Sequence, residues 1–316
     1  MFGKFILAAS AAGLYTTTAA SPLQPRADGC GTQHHPGYND DTNSHSIMSG
    51  GRTRHYAVNV PQDYNSDPNK RRAVIFDYHG NTRSPHDQYL DSMYYASPGG
   101  DDYLVVYPAG VDSHWQGPSY ATPGVNDLQF TTDLLDHIRK SYCVDDNRVY
   151  ASGKSNGAGF VDTLACSDHG DEFAAFAMAS AALYTDTSEG DCPKKRAILE
   201  SHGDKDTTIP YSGGEGSGGP LPDVGEWVSW WGQRTCPGAG PVKSGDLGGY
   251  NITTYSCGSY NKVIDHYQVF DLGHCWPSSN GKNFDSTKSS CQDRSLDFTK
   301  VVLKFFGRWN LSSAPH

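Results

Sequence analysis

The chain has 316 residues, with 25 Lys plus Arg against 35 Asp plus Glu and a formal net charge of −10 at pH 7. That acidic balance, with no clustered basic stripe to offset it, speaks against nucleic acid or an anionic membrane surface as partner. The length suits one large α/β domain, able to bury roughly three quarters of the surface its unfolded chain exposes.

At the amino end, Lys4 precedes a modest apolar run from Phe5 to Leu14, and Thr18-Ala19-Ala20 offers small side chains to a signal peptidase. The pattern predicts a secretory signal peptide over residues 1–20, followed by a single extracellular domain over 21–316. No later run approaches the 18 apolar residues of a membrane span. All eight cysteines follow the leader, and an even number in an oxidising compartment favours four disulfides. None forms a C-x-x-C pair, so zinc-ribbon and thioredoxin-like chemistry has no support. Proximity in sequence suggests Cys236 with Cys257 and Cys275 with Cys291. Asn251-Ile-Thr253 and Asn310-Leu-Ser312 match glycosylation acceptor patterns.

Short β-branched and aromatic runs then alternate with helical patterns. Strands are predicted over His55–Val60, Ala73–Tyr78, Tyr103–Tyr107, Arg148–Ser152, Phe173–Met178, Ala197–Ser201 and Val263–Phe270. Leu128, Leu135, Ile138 and Tyr142 keep helical spacing, and Ser295–Trp309 reads as a closing helix. The alternation predicts a mostly parallel sheet covered by helices on both faces. The Gly- and Pro-rich segment Tyr211–Trp227 reads as a surface loop or lid rather than a domain boundary.

Within that order, the stretch "ASGKSNGAGF" from Ala151 to Phe160 admits two meanings. A phosphate-binding loop, G-x-x-x-x-G-K-[ST], would need glycine at position 148, and that residue is Arg148. The G-x-S-x-G turn of a serine hydrolase needs a strand, a sharp turn with small flanking residues, and a helix, and "NRVYASGKSNGAGFVDTLAC" supplies all three. A serine hydroxyl is a poor nucleophile without a base and a group to orient that base. Downstream of Ser155, "RAILESHGDKD" ends a strand and offers Asp204 and Asp206, which spacing does not separate. "HYQVFDLGHCWP" ends another strand and presents His274, so the order serine, acid, histidine is satisfied. Asp162, Asp171 and Asp223 fall on helix starts or loops, where capping is the usual role. Lys154 has no assigned chemistry.

An oxyanion hole is also required. One donor is expected from the backbone N–H of Asn156, next to the nucleophile, and the second from the loop "YHGNTRS", with Thr82 preferred and Asn81 close behind. Trp276, Trp115 and Tyr120 are the candidate platforms for a flat acyl group, whereas Trp230 and Trp231 on a predicted helix suit core packing.

With these motifs in place, the chain resembles the secreted fungal feruloyl esterases of carbohydrate esterase family 1, of the type called feruloyl esterase C. The resemblance is carried by "YHGNTRS", "SHWQGPSYATPGVNDLQFTTDLLDHI", "YCVDDNRVYASGKSNGAGF", "LESHGDKDTTIPY" and "LGHCWP", over nearly the whole chain after the leader. Polyhydroxyalkanoate depolymerases look similar through the H-G, S-x-G, H-G-x-x-D and G-H-x-W segments. The resemblance implies an α/β-hydrolase fold and a triad of Ser155, His274 and Asp206, leaving Asp204 as a turn residue. It further implies hydrolysis of hydroxycinnamoyl esters on plant cell-wall polysaccharide through an acyl-enzyme, without metal or cofactor. Acetylxylan esterase and polyester depolymerase are the alternatives within enzymes, and a silent carbohydrate-binding protein is the alternative outside them. Ala158 departs from the Gly-Gly-Gly that relatives often carry after the nucleophile's asparagine, and segment 213–219 is expected to border the substrate groove.

Overall fold

The computed structural model describes residues 29–41, 44–184 and 192–316, so the expected signal peptide lies outside the described residues. Thirteen strands and five α-helices are present among them. The strands are β1 (Gly37–Asn39), β2 (Ser46–Ser49), β3 (Arg52–Val60), β4 (Arg72–Tyr78), β5 (Tyr103–Pro108), β6 (Val144–Lys154) and β7 (Ala175–Ala179). They continue with β8 (Ile198–Gly203), β9 (Gly214–Gly216), β10 (Gly219–Leu221), β11 (Val242–Lys243), β12 (Tyr250–Cys257) and β13 (Tyr260–Val269). The helices are α1 (Pro85–Ser92), α2 (Asp127–Ser141), α3 (Asn156–Ala165), α4 (Val224–Thr235) and α5 (Phe298–Phe306).

One sheet runs in the order β1-β3-β5-β4-β6-β7-β8-β13-β12-β11, with β2 beside β3. From β5 to β13 every pairing is parallel, and both flanks are antiparallel. Strands β4, β5, β7 and β8 are buried at every residue, which is why β4, β5 and β7 read as mostly apolar runs, while β8 buries Glu200, Ser201 and His202 as well. Each of the seven predicted strands overlaps an observed one. The sequence did not mark β12, because its Asn, Thr and Ser side chains leave the strand only half-buried. Its pairing with β13 decides the conformation.

Helix starts are set by side-chain caps: Ser84 and Asp87 form a reciprocal box on α1, while Asn126, Asp223 and Asp297 cap α2, α4 and α5. The Gly-rich segment is not plain loop, since it carries the β9–β10 hairpin. Disulfides join Cys30 to Cys143, Cys166 to Cys192, Cys236 to Cys257 and Cys275 to Cys291. Two of these are the pairs suggested by proximity, and four bridges fit a protein matured in an oxidising compartment. No helix among the described residues is long and apolar enough to cross a membrane.

Candidate active site

Ser155 sits between the end of β6 and the start of α3 with φ 55° and ψ −122°, a backbone region that non-glycine residues rarely occupy. Three hydrogen bonds hold it there. Its N–H donates to Ala179 O (2.9 Å), and its carbonyl accepts from Gly159 N (2.9 Å) and Ala182 N (3.1 Å). Gly157 is required by packing, because a Cβ at that position would lie 2.2 Å from the carbonyl oxygen of Tyr78. Ala158, by contrast, is buried without such a conflict, so the departure from Gly-Gly-Gly is accommodated.

Two further parallel strands deliver the other groups to the same edge. Asp206 follows β8 and His274 follows β13. His274 Nε2 lies 2.8 Å from Ser155 Oγ, and His274 Nδ1 lies 2.7 Å from Asp206 Oδ2. The N–H groups of Thr208 and Ile209 both donate to Asp206 Oδ1 at 2.8 Å. Burial opposes the Asp206 charge, but hydrogen bonds from His202 and His274 outweigh it and hold the carboxyl well below the usual carboxylate range. An ionised Asp206 only accepts, so Nδ1 of His274 carries the proton and Nε2 is left to accept from the serine hydroxyl. Burial lowers the His274 pKa from its ordinary value, with Asp206 opposing, and the ring remains 18% exposed. Asp204 does a different job: its Oδ1 accepts from Asp271 N at 2.7 Å, tying the acid turn to the turn that leads to His274.

The Asn156 N–H, first in α3, has no intrahelical partner and points from the helix start beside Ser155. Thr82 lies on the expected loop, but its N–H donates to Ser113 O (3.0 Å) and its hydroxyl to Asn81 O (2.7 Å). The Asn81 N–H, by contrast, has no acceptor among the described residues. Its neighbour Gly80 passes so close that an added Cβ would lie 3.3 Å from Ser155 Cβ. His79 braces this loop as a neutral ring: Nε2 accepts from Gly110 N (3.0 Å), Nδ1 donates to Gly80 O (2.8 Å), and burial lowers its pKa to about 4.

Two of the three expected platforms are core residues. Trp276 is buried against Tyr94 and Phe298, with its indole N–H on Thr299 Oγ1. Trp115 is buried against Tyr78 and Phe160, donating to His79 O, and the Asn156 side chain clamps its backbone. Only Tyr120 is partly open. It packs on His114 and Tyr184 beside a small apolar cluster of Ala182, Tyr184, Ile209 and Leu221 that the β9–β10 hairpin covers. Ala182 and Ile209 are the residues whose N–H groups hold Ser155 and Asp206, so this cluster flanks the triad. Sequence reading missed Tyr184, Ile209 and Leu221, since only the hairpin and the acid turn bring them together.

Lys154 acquires a role. It is buried and paired with Asp285, and lies 3.7 Å from Asp91. Asp285 also accepts from Trp276 N (2.8 Å) and pairs with Lys288 (2.6 Å). The lysine therefore ties the strand end that carries Ser155 to the loop that carries His274. Asp162, expected as a cap, instead accepts from the indoles of Trp227 and Trp231 in the core. Asp171 pairs with Lys194 and Arg196, and Asp223 caps α4. Among the described residues no group of three or more His, Cys, Asp or Glu is arranged to hold a metal ion.

No family model matches the chain. It is 27% identical over 229 residues to a bifunctional acetylxylan esterase/xylanase from Neocallimastix patriciarum, covering 70% of this chain and 31% of that protein. It is 28% identical over 166 residues to a probable feruloyl esterase C from Aspergillus niger, covering 51% of this chain and 58% of that one. The chain thus spans about a third to three fifths of these relatives' lengths, and the similarity is narrower than the motifs suggested. Among solved structures, an acetyl xylan esterase from Aspergillus awamori superposes with a TM-score of 0.57 at 16% identity, covering 85% of this chain and 98% of that one. A feruloyl esterase module from Clostridium thermocellum gives 0.50 at 14% identity, covering 76% and 82%. The chain therefore has the α/β-hydrolase fold and is related in sequence to proteins named feruloyl esterase C and acetylxylan esterase.

Proposed function

We propose that this chain is a secreted serine esterase that hydrolyses feruloyl and related hydroxycinnamoyl esters on plant cell-wall polysaccharide. The observation that carries the reading is the continuous line Ser155 Oγ, His274 Nε2, His274 Nδ1, Asp206 Oδ2, with contacts of 2.8 and 2.7 Å. In this reading Ser155 Oγ attacks the ester carbonyl while its proton passes to His274 Nε2. The N–H groups of Asn156 and Asn81, rather than Thr82, receive the negative oxygen. His274 returns the proton to the leaving sugar alcohol, and water then releases the acid from the acyl-enzyme by the same base. No step needs a metal or cofactor.

For the acyl group, the partly open Tyr120 replaces the buried tryptophans as the aromatic platform, backed by the buried cluster of Tyr184, Ile209 and Leu221. Acetylxylan hydrolysis is the second reading, favoured by the similarity to the Neocallimastix protein. Purified protein is expected to release ferulate from methyl ferulate and to lose that activity in Ser155→Ala. Release of acetate from acetylated xylan with no action on methyl ferulate would transfer the assignment to the second reading.

A further inference from the structure

Behind the triad lies a second line of buried titratable side chains that the reaction above does not use. Glu200 and His202 alternate along β8, so both point to one face of the strand, and both are almost wholly buried. His202 Nδ1 is 3.0 Å from Glu200 Oε1. Its Nε2 is 2.8 Å from the carbonyl oxygen of Ile209 and 3.4 Å from Asp206 Oδ2. A carbonyl only accepts, so Nε2 carries a proton. Nδ1 faces a carboxylate whose other oxygen is held at 2.7 Å by His266 Nδ1, and the far nitrogen of His266 is 2.8 Å from Tyr211 Oη.

We propose that His202 is an imidazolium at neutral pH, sandwiched between Glu200 and Asp206, and that this buried cation is a positioning residue setting the charge that Asp206 presents to His274. The proposal rests on the triad reading for its catalytic consequence, though not for the charge state itself. Burial works against a charged ring here, but Glu200 first and Asp206 after it push the His202 pKa up to about 10. Correspondingly Glu200 lies below its ordinary value, burial opposing and the two histidines prevailing. The titratable groups facing His202 are Glu200 on its own strand, Asp206 in the acid turn, His274 on the base loop, His266 on β13 beyond Glu200, and the Tyr211 ring edge at 5.8 Å.

The consequence is a balance. An ionised Asp206 alone would draw His274 toward its protonated form and impair it as a base. The cation on the far side of Asp206 takes up part of that field, and Glu200 offsets the cation, so the three buried groups carry one net negative charge.

The decisive test combines nitrogen NMR of the histidine rings in the wild-type protein with the pH profile of His202→Gln, which keeps a donor toward Ile209. The spectrum is expected to show one buried ring with both N–H protons from pH 5 to 9. In Glu200→Gln that ring should titrate closer to the ordinary histidine range. His202→Gln should move the acid limb of kcat/KM for methyl ferulate to higher pH by about one unit. A packing role alone would lower the plateau without moving the limb. A His202 ring with a single N–H at pH 7, or a folded His202→Gln with the wild-type limb, overturns the proposal. If His202→Gln does not fold, the wild-type spectrum decides alone. Lack of esterase activity in the wild type would sink the triad reading while leaving that spectrum to settle the charge of His202.

Discussion

Asp206 and Asp204 stand two residues apart in one turn, yet one carboxylate orients His274 and the other holds a backbone N–H of Asp271. Asp206→Asn is accordingly expected to lower kcat by about 10⁴, because the amide favours the wrong tautomer of the base. Asp204→Asn should leave kcat within a few-fold, as measured by ferulate release at pH 7. Ser155 and His274 were legible because a strand followed by a small-residue turn is a local signal. The choice between the aspartates was not, since spacing is the same within the error of a turn and only the resemblance favoured Asp206. The engagement of the Thr82 N–H was not legible for a related reason: which N–H a loop leaves free depends on a partner such as Ser113, distant in sequence. For pH dependence, the base is useful only when neutral, and burial holds His274 below its ordinary pKa. Activity should therefore rise with pH through an apparent pKa below about 6.5 and then level. An acid limb above that value in kcat/KM would contradict the burial of the base.

At the scale of elements, the triad depends on three strand ends being held in register, and Lys154 is one of the clamps. Removing one partner of a buried, charged pair typically costs about 3–5 kcal/mol, because the other charge is left uncompensated. Lys154→Met should fall near the lower end of that range, since Asp285 keeps Lys288, and urea unfolding measures it. A loss below about 1 kcal/mol, the range of exposed pairs, would show that the clamp is dispensable. The central strands were readable because burial on both faces of a parallel sheet demands continuous apolar runs. Strand β12 and the β9–β10 hairpin were not, as their pairing rests on tertiary context and their apolar side chains are few and interrupted by polar residues and glycine. That hairpin is also what encloses Tyr120 and Tyr184, so the acyl platform could not be placed from sequence. The tryptophans chosen instead are large enough that the core claimed them.

For the whole molecule, disulfides compensate where irregular structure carries function. The bridge from Cys275 to Cys291 closes the loop directly after His274, with a sequence separation of 16. Constraint of a loop of that length in the unfolded chain is worth roughly 3 kcal/mol. Replacing both cysteines by serine should lower stability by about that amount in urea unfolding. It should also lower kcat more than it raises KM, because the base loses its anchor. Parallel changes in stability and no change in kcat would separate the bridge from catalysis.

The central claim is that Ser155, through His274 and Asp206, is a nucleophile forming an acyl-enzyme. Its most direct measurement is intact and peptide mass after treatment with a fluorophosphonate, which reacts with activated serines. One adduct is predicted, located on Ser155, coincident with loss of methyl ferulate hydrolysis and absent from Ser155→Ala. An adduct on another residue, or ferulate release by folded Ser155→Ala at the wild-type rate, would contradict the account.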